Sequence, residues 1–113
     1  MNWIAIFAAL SGALAVGAGA FGAHGASGVA AEWLKTGGQY QLLHAVAALV
    51  ALKMGAKGPA ILFVTGGALF AGSLYLMALL GPSKLLGPVT PLGGLLLILG
   101  WLWLAWSAVR SGV

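Results

Sequence analysis

The sequence predicts an all-α polytopic membrane protein, with four transmembrane helices in a bundle and a short interfacial helix after the first. Hydrophobic residues make up 62% of the 113 residues and charged residues only 5%, whereas soluble domains carry about 25% charged residues. The mean hydropathy is +1.09. A span needs roughly 20 apolar residues, so the chain has room for four spans and their loops. We therefore expect a single integral membrane domain over residues 1–113.

The first predicted span covers residues 3–23. Ala18-Gly19-Ala20 resembles a signal-peptidase site, but no Lys or Arg precedes the apolar run, so we expect an uncleaved span. Small residues at four-residue spacing allow helix backbones to approach closely in lipid. This pattern predicts a packing face made of Ser11, Ala15, Gly19 and Ala23.

Residues 27–36 are predicted to form a short helix on the membrane surface. Val29 and Trp33 are spaced i and i+4, with charged residues on the opposite side, as in an interfacial amphipathic helix. The second span, residues 39–54, is short and contains His44. A re-entrant hairpin is the alternative, but we favour a span because Lys53 can extend its side chain to the interface.

The third and fourth spans are predicted over residues 59–80 and 91–109. Each begins with a proline at the first helical position, and Thr90 is a suitable N-cap for the fourth. Residues 81–90 are rich in Gly and Pro and predict a connecting loop. Small residues again predict a packing face in the third span, comprising Gly67, Ala68, Ala71 and Gly72.

Charged and aromatic residues at the ends of the spans indicate the orientation. Lys53, Lys57 and Arg110 lie on one side and Lys35 and Lys84 on the other, so the positive-inside rule predicts that both termini are cytoplasmic. The isolated cations form no basic stripe, which argues against nucleic acid and for contact with lipid headgroups. A tryptophan-rich stretch, residues 101–106, predicts an aromatic belt.

The composition excludes most catalytic chemistry. Glu32 is the only acidic residue and there is no cysteine, so there is no carboxylate pair, iron–sulfur site or thiolate zinc site. We therefore expect a protein that is not an enzyme, with no catalytic residue, metal or cofactor.

Ionisable and polar residues within membrane spans are functional candidates by default. His24 ends the first span while Tyr40, Gln41 and His44 open the second, so we expect these four residues near one interface. Ser73 and Tyr75 in the third span complete the candidate polar binding cluster. The structural interpretation is that His24 bonds a loop carbonyl and that the others hydrogen-bond between helices.

Three functions remain open at this point. The first is a non-enzymatic protein that acts through helix packing with itself as a homo-oligomer, with membrane lipid or with a larger membrane complex. The second is a small transporter or channel with a polar site around Gln41 and His44, lined further by Ser73 and Tyr75. The third is a quinone- or haem-binding accessory subunit that uses His24 and His44.

Several strings that occur in order along the chain resemble one known family. They are Gly19-Ala20-Phe21-Gly22-Ala23-His24, Thr36-Gly37-x-x-Tyr40-Gln41-x-x-His44-Ala45, Leu69-Phe70-Ala71-Gly72-Ser73-Leu74-Tyr75, Gly87-Pro88-Val89-Thr90-Pro91-Leu92-Gly93-Gly94 and Gly100-Trp101. Together they resemble the small bacterial inner-membrane proteins filed as domain of unknown function 423, which have mitochondrial relatives. The resemblance implies a four-helix inner-membrane protein but no activity and no catalytic residue.

Overall fold

The computed structural model describes residues 1–111 and contains four α-helices in that range. They are α1 (Trp3–His24), α2 (Gly28–Lys53), α3 (Lys57–Leu80) and α4 (Val89–Ser111). The all-α prediction is confirmed. Helices α1, α3 and α4 are long and apolar enough to cross a membrane.

The helices form an antiparallel bundle 46 × 25 × 21 Å in extent. Each helix packs along its neighbour in sequence, and α1 and α3 share a smaller contact. Helices α2 and α3 are therefore internal, while α1 and α4 lie at the edges. Each edge helix buries only three residues, and its remaining surface is largely apolar and exposed.

The predicted interfacial helix over residues 27–36 is not a separate element, because these residues form the first turns of α2. Gly37 and Gly38, at the predicted break, are buried inside the helix. A Cβ atom at Gly37 would lie 2.7 Å from Tyr75 Cε1, and one at Gly38 would lie 2.8 Å from the Ala15 carbonyl oxygen. The glycines therefore permit close helix contact rather than a bend. Within these first turns of α2, Leu34 is buried and Val29 is exposed.

Helices α3 and α4 begin two residues earlier than the sequence suggested. Pro59 and Pro91 occupy the third helical position of their helices, where no intrahelical N–H bond is lost. Thr90 consequently lies within the first turn of α4 and does not cap it. The connecting segment is residues 81–88, and Gly81 has a φ of 96°, which other residues rarely adopt.

Most of the buried hydrophobic residues are alanines, as expected where lipid supplies no hydrophobic drive between helices. The core between α1, α2 and α3 contains Ala8, Ala48 and Ala60 around the ring of Phe63. Of the predicted packing residues, several lie at helix contacts, namely Ala15, Gly67 and Ala71, which are buried, and Ser11 and Gly19, which are half-buried. Others do not. Ala23 and Ala68 are exposed, and no neighbouring atom would lie within 4 Å of a Cβ at Gly72.

Candidate functional site

His44 lies in the middle of α2 and joins it to α4. Its Nδ1 atom is 2.7 Å from the Tyr40 carbonyl oxygen, and Trp101 Nε1 donates to its Nε2 at 3.0 Å. An indole N–H can only donate, so Nε2 carries no proton and Nδ1 donates to the carbonyl. This hydrogen-bond pattern assigns the neutral Nδ1–H tautomer, and both ring nitrogens are engaged.

Aromatic rings surround this histidine. Tyr40 stacks on His44 with ring centroids 6.2 Å apart and an interplanar angle of 6°. Phe63 and Trp101 lie 5.7 and 5.8 Å away, and Phe70 packs on Tyr40 at 4.9 Å. We call these five residues the His44 cluster. It contains no charged side chain, and His44 itself is only 7% exposed.

Gln41 and Tyr75 form a second bridge, between α2 and α3. The Tyr75 hydroxyl donates to Gln41 Oε1 at 2.7 Å, and both side chains are buried. Gly37 allows this geometry, because the Tyr75 ring lies directly against its backbone. The bond itself is buried.

Ser73 and Thr90 form a third bridge, between α3 and α4. Ser73 Oγ donates to the Phe70 carbonyl oxygen at 2.8 Å, and it lies 2.5 Å from Thr90 Oγ1. Since a serine hydroxyl has one proton, Thr90 donates in the second bond. Ser73 therefore packs and hydrogen-bonds at the contact between α3 and α4. It makes no hydrogen bond to His44 or Tyr75.

The expectation that His24 lies beside Tyr40, Gln41 and His44 is wrong. His24 ends α1, next to the start of α2 at Gly28, and 16 residues of helix to His44 correspond to a rise of about 24 Å. His24 is exposed, and its side chain makes no hydrogen bond within residues 1–111. The long α2 helix explains the error, since it moves Tyr40, Gln41 and His44 to mid-helix.

This geometry does not support the two ligand-based alternatives. His24 and His44 cannot bind one haem or quinone at such a separation, and His44 has no free ring nitrogen. The cavity beside His44 measures about 370 Å³ and its lining is apolar and aromatic. Gln41, Ser73 and Tyr75 do not line it, so three of the four residues proposed for a transport pathway lie outside the cavity beside His44.

The sequence did not predict that Trp101 and Thr90 hydrogen-bond to side chains of neighbouring helices. Trp101 is 48% exposed and fits the predicted aromatic belt by composition, yet it supplies the bond to His44. The pair Gly100-Trp101 in the sequence was the one indication of this role. A Cβ at Gly100 would lie 2.8 Å from Phe63 Cε1, so this glycine admits the Phe63 ring that packs 4.7 Å from Trp101.

Comparison with known proteins identifies a family and several relatives. A family model described as "Protein of unknown function (DUF423)" matches residues 18–94. The chain belongs to the DUF423 family. UPF0382 membrane protein YwdK of Bacillus subtilis strain 168 is 38% identical, over 97% of this chain and 98% of that protein. UPF0382 inner membrane protein YgdD of Escherichia coli K12 is 37% identical, over 96% and 91%.

A UPF0382 membrane protein of Haemophilus influenzae is 39% identical, over 91% of this chain and 90% of that protein. No solved structure matches the chain. The relatives carry membrane-protein names and no enzymatic name. This DUF423 chain is an integral membrane protein, and the family membership predicted from its sequence motifs is confirmed.

Proposed function

We propose that this DUF423 chain is a non-enzymatic four-span protein of the bacterial inner membrane that acts by lateral association with a second copy of itself. The observation that carries the proposal is the use of the polar side chains. Within residues 1–111, no buried side-chain nitrogen or oxygen lacks a hydrogen-bond partner. Catalysis needs groups that face a substrate, whereas these groups face one another and connect helices.

The three bridges support a structural role because together they join every pair among α2, α3 and α4. Gln41–Tyr75 joins α2 to α3, Ser73–Thr90 joins α3 to α4, and His44–Trp101 joins α2 to α4. Interhelical hydrogen bonds of this kind contribute about 0.6 kcal/mol each on average in membrane proteins. Because the buried polar groups already bond one another, the outer faces of the bundle are the surfaces that remain for a functional contact.

Connectivity supports α2 as the fourth span. If α1 and α3 cross the bilayer in the same direction, the chain must return between His24 and Lys57, and α2 is the only element there. Its Gln41 and His44 side chains are buried against neighbouring helices, which removes the cost of exposing them to lipid. With 26 residues, α2 is about 39 Å long, so its first turns, with Glu32 and Lys35, extend past the apolar core.

The placement of cations supports termini on the cytoplasmic side. The start of α1, the α2–α3 turn and the end of α4 share one end of the bundle, and that end carries Lys53, Lys57 and Arg110. The opposite end carries Lys35 and Lys84, and Lys35 lies 3.7 Å from Glu32. The excess of free cations therefore favours the end with the termini as cytoplasmic.

The outer face of α1 is the first surface to test for association. Ala9, Ala13, Gly17 and Ala20 on this edge helix are all exposed, and no atom would lie within 4 Å of a Cβ at Gly17. The outer face of α4 instead exposes large side chains such as Leu95, Leu102 and Trp106. Small residues allow another helix to approach, whereas bulky ones suit lipid.

Cysteine crosslinking in native membranes tests the proposal, because the sequence has no cysteine. Ala13→Cys should give a disulfide-linked dimer on oxidation, and adding Gly17→Ile should abolish it because a β-branched side chain would separate the helices. Leu99→Cys is the matched control, because Leu99 is exposed at 44% but lies on α4, and it should give no dimer. Crosslinks from Ala13 only to other proteins, or equal dimer yields from both positions, would contradict self-association.

A further inference from the structure

Two adjoining cavities lie along the groove between α1 and α3, at the end of the bundle where α1 begins and α4 ends. The first measures about 540 Å³ and is lined by Asn2, Ile4, Gly55 and Lys57, among others. The second measures about 180 Å³ and is lined by Ile4, Phe7, Ile61, Val64 and Thr65. Ile4 lines both, so the two cavities adjoin at this residue.

The outer half is polar and cationic and the inner half is apolar, which is the order of headgroup and acyl chain in an amphiphile. Lys57 brings an ammonium group with three donors to the outer half. Asn2 accepts a hydrogen bond from Ala5 N through Oδ1 at 3.1 Å, which leaves its NH₂ group free to donate. The inner half lies one to two turns further along α3 and is apolar, because the Thr65 hydroxyl is bonded to the Ile61 carbonyl oxygen.

Charge at this end favours an anionic ligand. The only acidic side chain of the sequence, Glu32, lies at the opposite end of the bundle beside Lys35. It therefore cannot neutralise Lys57. Lys53 and Arg110 add two further cations at the same end as Lys57. Basic pockets between transmembrane helices at the cytoplasmic side are suited to anionic lipid headgroups.

We propose that this groove, the α1/α3 groove, binds one anionic glycerophospholipid of the surrounding bilayer. Its phosphate lies beside Lys57 and Asn2, and one acyl chain follows Ile4 and Phe7 of α1 along Ile61 and Val64 of α3. The site does not depend on self-association, because the small outer face of α1 lies on a different side of that helix. Failure of either proposal therefore leaves the other intact.

Native mass spectrometry of the full chain in mild detergent tests the site by titration with phosphatidylglycerol and with phosphatidylcholine of the same acyl chains. Phosphatidylglycerol should bind one-to-one and at lower concentration than phosphatidylcholine. Lys57→Gln should weaken phosphatidylglycerol binding about fivefold, the effect of one cation near an anionic headgroup. Lys84→Gln, at the opposite end, should leave it unchanged. Circular dichroism verifies that each variant is folded.

The acyl half of the groove is tested without changing charge. Ile61→Trp should fill it and weaken binding of both lipids, whereas Leu76→Trp should not. Ile61 and Leu76 are both on α3 and both 45% exposed, which makes them a matched pair. Equal binding of the two lipids by the wild type, or equal losses for Lys57→Gln and Lys84→Gln, would overturn the proposal.

Two other occupants are distinguished by the same experiment. Displacement of phosphatidylglycerol by millimolar inorganic phosphate would show that the site takes phosphate alone and would overturn the lipid assignment. A dimer that persists without lipid and is lost in Ile61→Trp would show that a second copy fills the groove, which would also overturn it.

Discussion

Single side chains inside this bundle act mainly as donors and acceptors between helices. His44 is the clearest case, because its two ring nitrogens bond the Tyr40 carbonyl and the Trp101 indole. Gln41 likewise bonds Tyr75, and Ser73 bonds Thr90. Replacing each of these residues by an apolar residue of similar size measures how much its hydrogen bond contributes to the free energy of unfolding.

Trp101→Phe should destabilise the bundle by about 1 kcal/mol, since it removes the donor to His44 Nε2 and leaves a buried acceptor unpaired. Trp106→Phe is the matched control, because Trp106 is on the same helix, is 58% exposed and makes no side-chain hydrogen bond within residues 1–111. Unfolding in a detergent titration measures both. Equal stability of the two variants would show that the His44–Trp101 bond contributes nothing.

A double-mutant cycle tests the Gln41–Tyr75 bridge. Tyr75→Phe and Gln41→Leu should each lower the free energy of unfolding, since each leaves a buried polar partner unsatisfied. The double variant should lose less than the sum, with a coupling energy of about 0.6 to 1.7 kcal/mol. Strict additivity would mean that the two side chains do not interact in the folded protein.

At the scale of helices, contacts depend on glycines that the sequence presents ambiguously. Gly37 and Gly38 look like a break between two short helices, and the predicted boundaries at 36 and 39 follow from that interpretation. Only the neighbouring helices reveal why they are there, since the Tyr75 ring and the Ala15 carbonyl occupy the space of their side chains. Local sequence cannot distinguish a glycine that bends a chain from one that admits a neighbour.

Gly38→Ala should therefore destabilise the bundle by about 1 to 3 kcal/mol, the usual range for overpacking. Its Cβ would meet the Ala15 carbonyl oxygen of α1 at 2.8 Å, and the helix backbone cannot move aside easily. Gly72→Ala, with no atom within 4 Å, should be neutral or stabilising because alanine favours helix. Thermal unfolding monitored by circular dichroism separates them; similar melting temperatures would contradict the close α1–α2 contact.

Helix α2 should cross the bilayer although it is the least apolar of the four. The sequence has no cysteine, so Ser27→Cys and Met54→Cys each introduce one thiol, at opposite ends of α2. A membrane-impermeant maleimide applied to intact cells should label Ser27→Cys, and Met54→Cys should react only after the cells are opened. Labelling of both cysteines from outside would show that α2 is re-entrant or lies on the surface.

For the whole molecule, composition and the apolar runs divided by Gly and Pro were sufficient to predict the all-α membrane class and its three most apolar helices. They also predicted a separate interfacial helix, which is in fact the beginning of α2. The site could not be predicted in the same way. The error about His24 arose because one continuous α2 shifts Tyr40 and His44 by several turns. The role of Trp101 was hidden because it is the first of three tryptophans in residues 101–106, which together resemble an interfacial belt, and only the path of α4 brings it to His44.

The bundle has two internal helices with satisfied polar groups and two edge helices with apolar outer faces. This division locates the proposed function on the outside of the molecule, where a second copy and bilayer lipid can bind. It also assigns the polar interior to stability, so variants in the His44 cluster should change the free energy of unfolding without removing a bound small molecule.

Native mass spectrometry of the gently solubilised protein shows whether the polar interior only stabilises the bundle or also binds a ligand. We expect an oligomer of identical chains that carries only phospholipid, with the same bound masses in wild type and in His44→Ala. A stoichiometric mass that is not phospholipid, present in wild type and lost in His44→Ala, would show that the polar interior is a ligand site and not only a stabilising network.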